Sequence, residues 1–212
     1  ARDLLRLADE LDGAAIRGTQ RLTGRVSIGG GPYPAESFLG PAAARFAEDF
    51  PGTSIRLDAG DWEDLLRRLR SRELDFFVAE TSLLTREPDI ETEQLGSART
   101  VYWVARAEHP LARRERVSAE EVLQYPFVAP AQIPPRVLDP LLKAHARAAA
   151  TSRGPTLSLP AVKCDGLAPA KRIVACSDAV TGSILSCVSS ELESSQFVLL
   201  GAEPWLTLQY GV

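Results

Sequence analysis

The sequence predicts an α/β protein built around a parallel sheet. Between residues 24 and 80, three short apolar segments are separated by two amphipathic ones, in the order strand, helix, strand, helix, strand. Strands that alternate with helices favour a parallel sheet with right-handed crossover connections. A chain of 212 residues with 45% apolar residues can also bury one substantial core or two modest ones.

The three strands are predicted from their apolar patterns. Val26 and Ile28 alternate with polar neighbours, and Ile55 and Leu57 do the same. Residues 74–79 form a nearly continuous apolar run. Alternation is typical of a half-buried strand, and a short continuous run bounded by turn residues is typical of a buried one.

The helix between the second and third strands is predicted from four apolar residues at positions i, i+3, i+4 and i+7. These residues are Trp62, Leu65, Leu66 and Leu69. The spacing places them on one helical face. Asp61 stands immediately before them and is predicted to cap the first turn of the helix.

The other helix is predicted over residues 35–50. Its apolar residues repeat at helical spacing and are Phe38, Leu39, Ala42, Phe46 and Phe50. Pro41 lies inside this segment and is predicted to kink or split the helix. Pro51 and Gly52 are predicted to end it.

The second half of the chain contains further predicted elements. In order, they are a strand over 100–106, a turn over 108–111, a short helix opened by a capping box over 118–121, a strand over 127–129, a helix over 135–150, a final helix from Asp178 and a strand over 196–200. The final helix is predicted from the i+4 spacing of Val180, Ile184, Val188 and Leu192.

Charge and hydropathy argue against nucleic-acid and membrane surfaces. The net charge of −4 and the pI of 5.3 disfavour a large nucleic-acid surface, because phosphate binding needs clustered Lys and Arg. No apolar run approaches the roughly 18 to 20 residues that cross a bilayer, so we predict no membrane partner and a cytoplasmic location. The chain starts at Ala1 and contains no Met, from which we expect that upstream residues are missing.

The three cysteines do not predict a metal or disulfide site. Cys164, Cys176 and Cys187 are odd in number, and their spacing matches neither a zinc ribbon nor a redox pair. We expect small buried side chains in a reducing compartment. A thiol sensor at Cys176 is the alternative.

Candidate ligand-binding residues follow from a rule of open parallel sheets, in which ligands bind outside the carboxyl ends of the strands. The candidates are Gly31, Pro32, Tyr33 and Pro34 after the first strand, Asp61 and Trp62 after the second, Pro130, Gln132 and Arg136 in the second half, and Ser177 and Asp178 before the final helix. Unpaired N–H groups at helix starts favour an anion, and Arg136 adds a partner for a carboxylate. We therefore predict a small acidic ligand.

Each candidate also has a structural explanation. The glycines at 29–31 match neither the dinucleotide fingerprint nor the P-loop, which favours a flexible turn. Trp62 is in phase with the core face of its helix, and Arg136 is compatible with a solvated surface. Ser177 and Asp178 are compatible with a simple helix cap.

Catalysis is not predicted. His109 lies in a turn and His145 in an Ala-rich helix, so a Ser/His/Asp arrangement has no suitable base. The acidic residues at 61, 63 and 64 are explained by the dipole of the helix that they begin. No cofactor and no metal are predicted, because the possible ligands are too sparse.

Residues 1–22 are predicted to form a separate helix. Leu4, Ala8, Leu11 and Ala15 step by four, three and four residues, which is the spacing of a coiled-coil seam. An ordinary helix packed on its own domain would show similar spacing. The residues alone leave both interpretations open.

The order and spacing of several motifs resemble the effector-binding domain of LysR-type transcriptional regulators. The motifs are GRVSIG at 24–29, the helix with Pro41 and Phe50-Pro51, DWEDLLRRLRSRELDF at 61–76 and VARAEHPLA at 104–112. The resemblance runs from Gly24 to Val212. It implies two Rossmann-like lobes joined by two crossover strands, the type 2 periplasmic binding protein fold, preceded by a helical linker.

The resemblance also implies how the chain is divided and what it binds. The expected limits are a linker helix over 1–22, subdomain I over 23–104 and 201–212, and subdomain II over 105–200. A small-molecule effector is expected in a cleft between the lobes. A homodimer or homotetramer is expected to reach DNA only through an N-terminal domain absent from this chain. Family members usually continue past residues 210–212 with a strand and a helix, so we expect a weakened subunit interface here.

Three functions are compatible with these observations. The leading one is an effector sensor that works by population shift, in which the ligand prefers one arrangement of an oligomer. A periplasmic solute-binding protein of the same fold is the alternative, and it would need an export signal upstream. An enzyme on an α/β scaffold is the third.

Overall fold

The computed structural model describes residues 24–84, 87–152 and 154–212. These residues form two compact units. The first comprises the described residues up to Ser97 together with Gln209–Val212, and the second comprises Ala98–Leu208. Each unit has its own sheet and helices, so the predicted α/β class is confirmed. The helix predicted over 1–22 lies outside the described residues.

The first unit is built on a four-stranded sheet with the order β2-β1-β3-β9. Its elements are strand β1 (Gly24–Gly30), helix α1 (Pro32–Pro34, Ala35–Leu39 and Gly40–Asp49 in succession), strand β2 (Thr53–Ala59), helix α2 (Trp62–Arg70), strand β3 (Phe76–Glu80), a 3₁₀ turn (Thr81–Leu83) and strand β9 (Tyr210–Gly211). β1 pairs in parallel with both β2 and β3, whereas β9 is antiparallel to β3. The predicted parallel arrangement of the first three strands is therefore confirmed.

Helix α1 accommodates its internal proline by a change of hydrogen-bond pattern. Its central section, Ala35–Leu39, is π-helical, and the α-helical section that follows carries Pro41 near its start. A proline removes one donor and crowds the preceding turn, which a wider π turn relieves. The predicted disturbance is confirmed, although the helix begins at Pro32 rather than at Ala35.

Helix α2 covers the core of the first unit. Leu65 is fully buried and packs in a cluster with the apolar residues of β3 and its preceding turn. The cluster consists of Leu65, Leu66, Leu74, Phe77, Ala79 and Leu84, with Trp62, Leu69 and Ile90 packed against it. The i, i+3, i+4 pattern of the sequence therefore corresponds to the observed core face.

The end of the chain completes the first sheet. Residues 210–212 pair with β3 on one side and exchange backbone hydrogen bonds with residues 93–95 on the other. Gly211 sits so closely that a Cβ atom there would lie 2.7 Å from the carbonyl oxygen of Glu93 and against Thr81 Cγ2. Only glycine fits this approach without a shift of backbone.

The second unit is built on a five-stranded sheet with the order β6-β5-β7-β4-β8. Its elements are strand β4 (Arg99–Arg106), helix α3 (Ala119–Val122), strand β5 (Phe127–Ala129), helix α4 (Pro135–Thr151), strand β6 (Val162–Lys163), helix α5 (Leu167–Ala175), strand β7 (Val180–Ser183), a 3₁₀ turn (Leu185–Cys187), helix α6 (Ser189–Glu193) and strand β8 (Phe197–Leu208). β5, β6 and β7 are mutually parallel, and β4 is antiparallel to β7 and β8.

Most predicted elements of the second unit are confirmed. The capping box is formed by Ser118 and Glu121 at the start of α3. β5 and α4 fall where the sequence placed them, and β8 begins one residue later than expected and extends to Leu208. The predicted subdomain limits at 104/105 and 200/201 remain a prediction.

The predicted final helix from Asp178 is wrong. Residues 180–183 form β7, which lies between β5 and β4 with all four residues buried. The i+4 spacing fits a helix, but β-branched Val180 and Thr181 followed by Gly182 favour a strand that is covered on both faces. Only the later part of the predicted segment is helical, as the 3₁₀ turn Leu185–Cys187 and helix α6. Helix α5, nine residues long, lies before it and was not predicted.

No helix within the described ranges combines the length and the apolar character needed to cross a membrane.

Candidate functional site

The carboxyl ends of β1, β2 and β3 lie at one edge of the first sheet because the three strands are parallel. Backbone hydrogen bonds join the residues that follow them. The Gly31 N–H donates to the carbonyl oxygen of Val78 over 2.8 Å, and the Gly60 N–H donates to that of Gly30 over 3.0 Å. The candidates after β1 and those after β2 are therefore brought to the same edge, which is called the first edge below.

The residues after β1 form the start of helix α1. Gly31 is buried and precedes the helix, Pro32 occupies its first position and Pro34 is buried. Half-buried Tyr33 accepts a hydrogen bond at its carbonyl oxygen from Ser37 Oγ over 2.7 Å. Proline at the first helical position is favourable, because its missing N–H would have no partner in the helix. This run is therefore an ordered helix start and not the flexible turn considered from the sequence.

The glycines of this run differ in the space around them. A Cβ atom at Gly30 would lie 2.5 Å from Leu39 Cδ1 and 3.2 Å from Ala35 Cβ. A Cβ atom at Gly31 would meet no atom nearer than 3.6 Å. A methyl group at Gly30 would therefore force Leu39 and Ala35 to shift, whereas Gly31 leaves room for a side chain.

Asp61 and Trp62 begin helix α2. Asp61 Oδ1 accepts a hydrogen bond from the Asp64 N–H over 2.8 Å, which confirms the predicted cap. Trp62 is half-buried and packs against the core cluster of the first unit. The structural explanation of both residues is thus observed, and their contact with a ligand stays a prediction.

Glu80 is a buried carboxylate that the sequence analysis missed. It is the last residue of β3, is 7% exposed, and accepts hydrogen bonds from the Ser82 N–H over 3.0 Å and from Ser82 Oγ. The Gln209 N–H, 3.4 Å away, also points to it. An acidic residue at the end of an apolar run was the available signal. The first edge therefore carries the buried carboxylate of Glu80 and those of Asp61, Glu63 and Asp64 at the start of α2.

The carboxyl ends of β5, β6 and β7 lie at one edge of the second sheet, called the second edge below. The Cys164 N–H donates to the carbonyl oxygen of Ala129 over 3.1 Å, and the Gly166 N–H to that of Pro130 over 3.0 Å. Pro130 is buried and Gln132 is exposed. The segments that follow β5 and β6 are thus bonded side by side.

Two helices start at the second edge. Helix α4 follows Pro134 and helix α5 follows Gly166, whose φ of 98° lies in the left-handed region that favours glycine. Within the described part of the chain, neither helix has a side-chain acceptor at its cap. The first N–H groups of a helix generally favour an anion. This effect is reduced at α4, because Pro135 has no N–H and the Val137 N–H donates to the Pro134 carbonyl oxygen over 2.9 Å.

Arg136 lies in the first turn of α4 and is bonded to strand β8. Its Nη1 atom donates to Thr207 Oγ1 over 2.8 Å, and its Nη2 atom donates to the Thr207 carbonyl oxygen over 2.6 Å. The side chain is exposed but fixed, which differs from the freely solvated arginine considered from the sequence. A ligand carboxylate would have to share or replace these bonds.

Ser177 and Asp178 lie at the opposite end of the second sheet. They precede β7, whose first residue Val180 is aligned in parallel with Phe127, the first residue of β5. Pro130 and Gln132 follow the other end of β5, about 10 Å away at the usual rise per residue. The argument that placed Ser177 and Asp178 at the start of the final helix is therefore wrong, because residues 180–183 form strand β7. Their contact with a ligand remains a prediction without that support.

Two buried hydroxyl groups of β7 were also missed. Thr181 Oγ1 donates to the Val128 carbonyl oxygen over 2.9 Å, and Ser183 Oγ donates to that of Ile184 over 3.3 Å. Both residues are at most 2% exposed, and Ser183 ends β7 at the second edge. A Thr and a Ser within a short apolar run were the signal, obscured by the helical interpretation of that run.

The described residues contain no group of three or more His, Cys, Asp or Glu side chains that could hold a metal ion. The cysteines are free thiols: Cys187 is buried, Cys164 is half-buried and Cys176 is exposed. Burial raises the pKa of the Cys164 thiol. Exposed Cys176 departs from the expectation of three buried thiols.

Each of the two α/β units has an edge where the carboxyl ends of parallel strands meet, and ligands of α/β proteins bind at such edges. This arrangement is typical of a small-molecule binding domain. A family model described as the LysR substrate binding domain matches residues 19–212. The chain therefore belongs to the LysR substrate binding domain family, which confirms the resemblance drawn from the sequence motifs.

A curated relative is the SDS degradation transcriptional activation protein of Pseudomonas sp. (strain ATCC 19151). It is 32% identical over 189 residues, which make up 88% of this chain and 58% of the relative. The chain thus spans less than two thirds of the length of that relative.

Solved structures share the fold at low identity. HinK, a LysR family transcriptional regulator from Pseudomonas aeruginosa, has a TM-score of 0.63 and 20% identity over 99% of this chain and 70% of its own. The reduced OxyR regulatory domain from the same organism has a TM-score of 0.67 and 16% identity, covering 91% and 89% of the two chains. The CcmR regulatory domain of Synechocystis PCC6803, solved in complex with 2-PG, has a TM-score of 0.65 and 15% identity, covering 89% and 86%.

Proposed function

We propose that this chain is the effector-sensing part of a LysR-type transcriptional regulator and that it binds a small acid. Family membership and the transcriptional activation protein among its relatives support the regulatory role. The second edge carries the ligand proposal, because helices α4 and α5 both start there without a side-chain cap. DNA binding would belong to a domain outside this chain.

The charges of the two edges support an acidic ligand group at the second edge. Lys163 ends β6 and Arg136 lies in the first turn of α4, with exposed Asp165 as an opposing charge. Helix starts and a guanidinium both favour a carboxylate or a sulfate. We include Pro130 and Gln132 among the contacts, since they follow β5 at this edge.

The first edge, considered by itself, is suited to uncharged ligand groups. Its carboxylates, among them Asp61 and Glu80, would repel an anion. Gly31 offers an uncrowded backbone, and Tyr33 and Trp62 offer aromatic surface. We propose contacts from Gly31, Pro32, Tyr33, Pro34 and the Asp61-Trp62 pair on this basis. Ser177 and Asp178 are not included, because they lie at the other end of the second sheet.

The proposed mechanism is a population shift without catalysis. An effector that prefers one state of a homodimer or homotetramer by a few kcal/mol re-weights the assembly that holds DNA. Such a regulator would work in the cytoplasm, where the DNA is.

The ligand proposal is tested by thermal unfolding with a panel of small carboxylic acids, short-chain alkyl sulfates and uncharged analogues. Alkyl sulfates are included because one relative is named for SDS degradation. We expect an acid to raise the Tm of the wild type and its uncharged analogue to have no effect. A loss of one charge-assisted hydrogen bond, about 1.5–3 kcal/mol, would weaken binding roughly tenfold or more in Arg136→Ala.

Lys143→Ala is the matched control. Lys143 is an exposed cation on the same helix, paired with Asp139 over 2.7 Å and two turns away from Arg136. It should keep the full ligand-induced rise in Tm. Equal shifts in Arg136→Ala and the wild type would remove Arg136 from the site. Stabilisation by uncharged analogues alone would overturn the acidic ligand.

A further inference from the structure

His109 is a buried imidazole that the proposed effector site does not use. It is 2% exposed and lies in the turn after β4, at the end of the second sheet opposite the second edge. Its ring packs against the ring of Tyr125, with the ring centres 4.4 Å apart. A titratable group is thus enclosed within the fold of the second unit.

The hydrogen bonds of His109 require its neutral form. The Leu111 N–H donates to Nδ1 over 3.1 Å, so Nδ1 carries no proton. Nε2 lies 3.2 Å from the carbonyl oxygen of Asp178, which can only accept, so Nε2 carries the proton and donates. Protonation would set two donors against each other at Nδ1 and break the bond to Leu111.

The charged neighbours of His109 have their own partners. Arg106 Nε and Nη2 donate to Asp178 Oδ1 over 3.1 and 2.7 Å, and Arg106 Nη1 lies 3.4 Å from Glu108 Oε2. Tyr125 is the titratable residue in ring contact with the imidazole. If His109 became protonated, the nearby Asp178 carboxylate would already be paired with Arg106.

The imidazole joins three segments of the second unit. These are its own turn, the residues before β5 that include Tyr125, and the residues before β7 that include Asp178. The last two are joined to each other by the Val180 N–H, which donates to the Pro126 carbonyl oxygen over 2.9 Å. Loss of the His109 bonds would leave the turn held by the Ala107 N–H, which donates to the Gln196 carbonyl oxygen over 3.0 Å, and by the buried side chain of Leu111.

We propose that His109 is an acid-sensitive latch, whose protonation releases the turn over residues 107–112 from Tyr125 and from the segment before β7 while the centre of the sheet stays folded. The latch is a regulatory feature separate from effector binding. It would make the second unit respond to acidification at the end opposite the second edge.

The direction of the pH response follows from burial. Burial lowers the pKa of His109, outweighing the opposing effects of the Asp178 carbonyl and carboxylate, and Arg106 lowers it further. A folded-state pKa below the unfolded value of about 6.5 means that the latch is fully closed above that pH. Its contribution is lost as the pH falls from there through the folded-state pKa.

The experiment is an NMR titration of the isotope-labelled 212-residue chain from about pH 7.5 to about pH 5, the range in which histidines titrate. The chain has two histidines, and His145→Gln assigns the ring signals and serves as the control. Amides of Leu111 and Ala179 report the latch, and amides of Val128 and Thr181 report the sheet centre. His109→Asn and His109→Gln each keep one of the two hydrogen-bonding groups without titrating.

We expect the Leu111 and Ala179 amides to change with the same midpoint as His109, below about pH 6.5, while the sheet-centre amides stay constant. Both His109 variants should lose this transition, and His145→Gln should keep it. Persistence in the His109 variants, or a Leu111 amide that ignores the His109 titration, would overturn the latch. Simultaneous loss of the sheet-centre amides would also overturn it, because acid would then unfold the whole unit. If the variants do not fold, the wild type and His145→Gln decide the matter.

Discussion

The two strand edges differ in how their helix starts are satisfied. At the first edge, α1 follows Gly31 without a side-chain cap, but Asp61 caps α2 with its own carboxylate and Glu80 adds a buried one. At the second edge, α4 and α5 follow Pro134 and Gly166, which offer no side-chain acceptor. The same rule of parallel sheets thus yields one edge that is already occupied by negative charge and one that is open to it.

The cap residue therefore sets the polarity of such an edge. The strand order alone places ligands at the carboxyl ends but does not say which ligand group is favoured. A carboxylate at the cap both satisfies the helix start and disfavours an external anion. Substitutions that change the packing, the cap and the hydroxyl groups test this difference between the edges.

The largest effect is expected for Gly30→Ala at the first edge. The new methyl group would collide with Leu39 Cδ1 at 2.5 Å and press on Ala35 Cβ at 3.2 Å. Overpacking of this kind costs about 1–3 kcal/mol in the free energy of unfolding, measured by urea titration with circular dichroism. Gly31→Ala is the control, since its methyl group meets nothing nearer than 3.6 Å, and should stay within about 0.5 kcal/mol of the wild type. Equal losses in both variants would show that close packing does not distinguish these positions.

An intermediate effect is expected for the cap of α2. Asp61→Ala removes the acceptor of the Asp64 N–H and should cost about 1 kcal/mol of stability in the same urea titration. Asp61→Asn keeps an acceptor without the charge and should cost only a few tenths of a kcal/mol. If Asn were as destabilising as Ala, the charge rather than the hydrogen bond would be the stabilising feature.

The smallest effect is expected for Ser183→Ala at the second edge. Its hydrogen bond to the Ile184 carbonyl oxygen is long, at 3.3 Å, so removal should cost about 0.5 kcal/mol. Thr181→Val, which removes a 2.9 Å bond to the Val128 carbonyl oxygen in the same strand, should cost about 1 kcal/mol. The reverse order in thermal or urea unfolding would show that the lengths of these two hydrogen bonds do not decide their contributions to stability.

Local patterns predicted most of the elements, because their signals lie within one turn or one strand. The i, i+3, i+4 spacing around Leu65 and the cap at Asp61 gave α2 without any long-range information. β7 was missed because residues at i+4 spacing fit both the helical period and the strand period. The segment forms a strand because it is buried between β5 and β4. Helix α5 was missed because its start is a glycine with positive φ rather than a polar cap.

The candidate site was predictable only in part. The residues after β1 and β2 lie at one edge because the two strands are parallel, and both strands were predicted from their alternating apolar residues. Arg136 bonds to Thr207, 71 positions away, and Glu80 bonds to Gln209, 129 positions away. Such contacts leave no local pattern, and the placement of Ser177 and Asp178 depended on the wrong element.

The close packing of Gly211 between β3 and residues 93–95 has a consequence for biosynthesis. The first sheet needs residues that the ribosome adds after the whole second unit has been made, so the earlier strands wait for a partner from the far end of the chain. During that interval the edge of β3 is unpaired on that side, and a chaperone or a neighbouring nascent chain has its best opportunity to bind there.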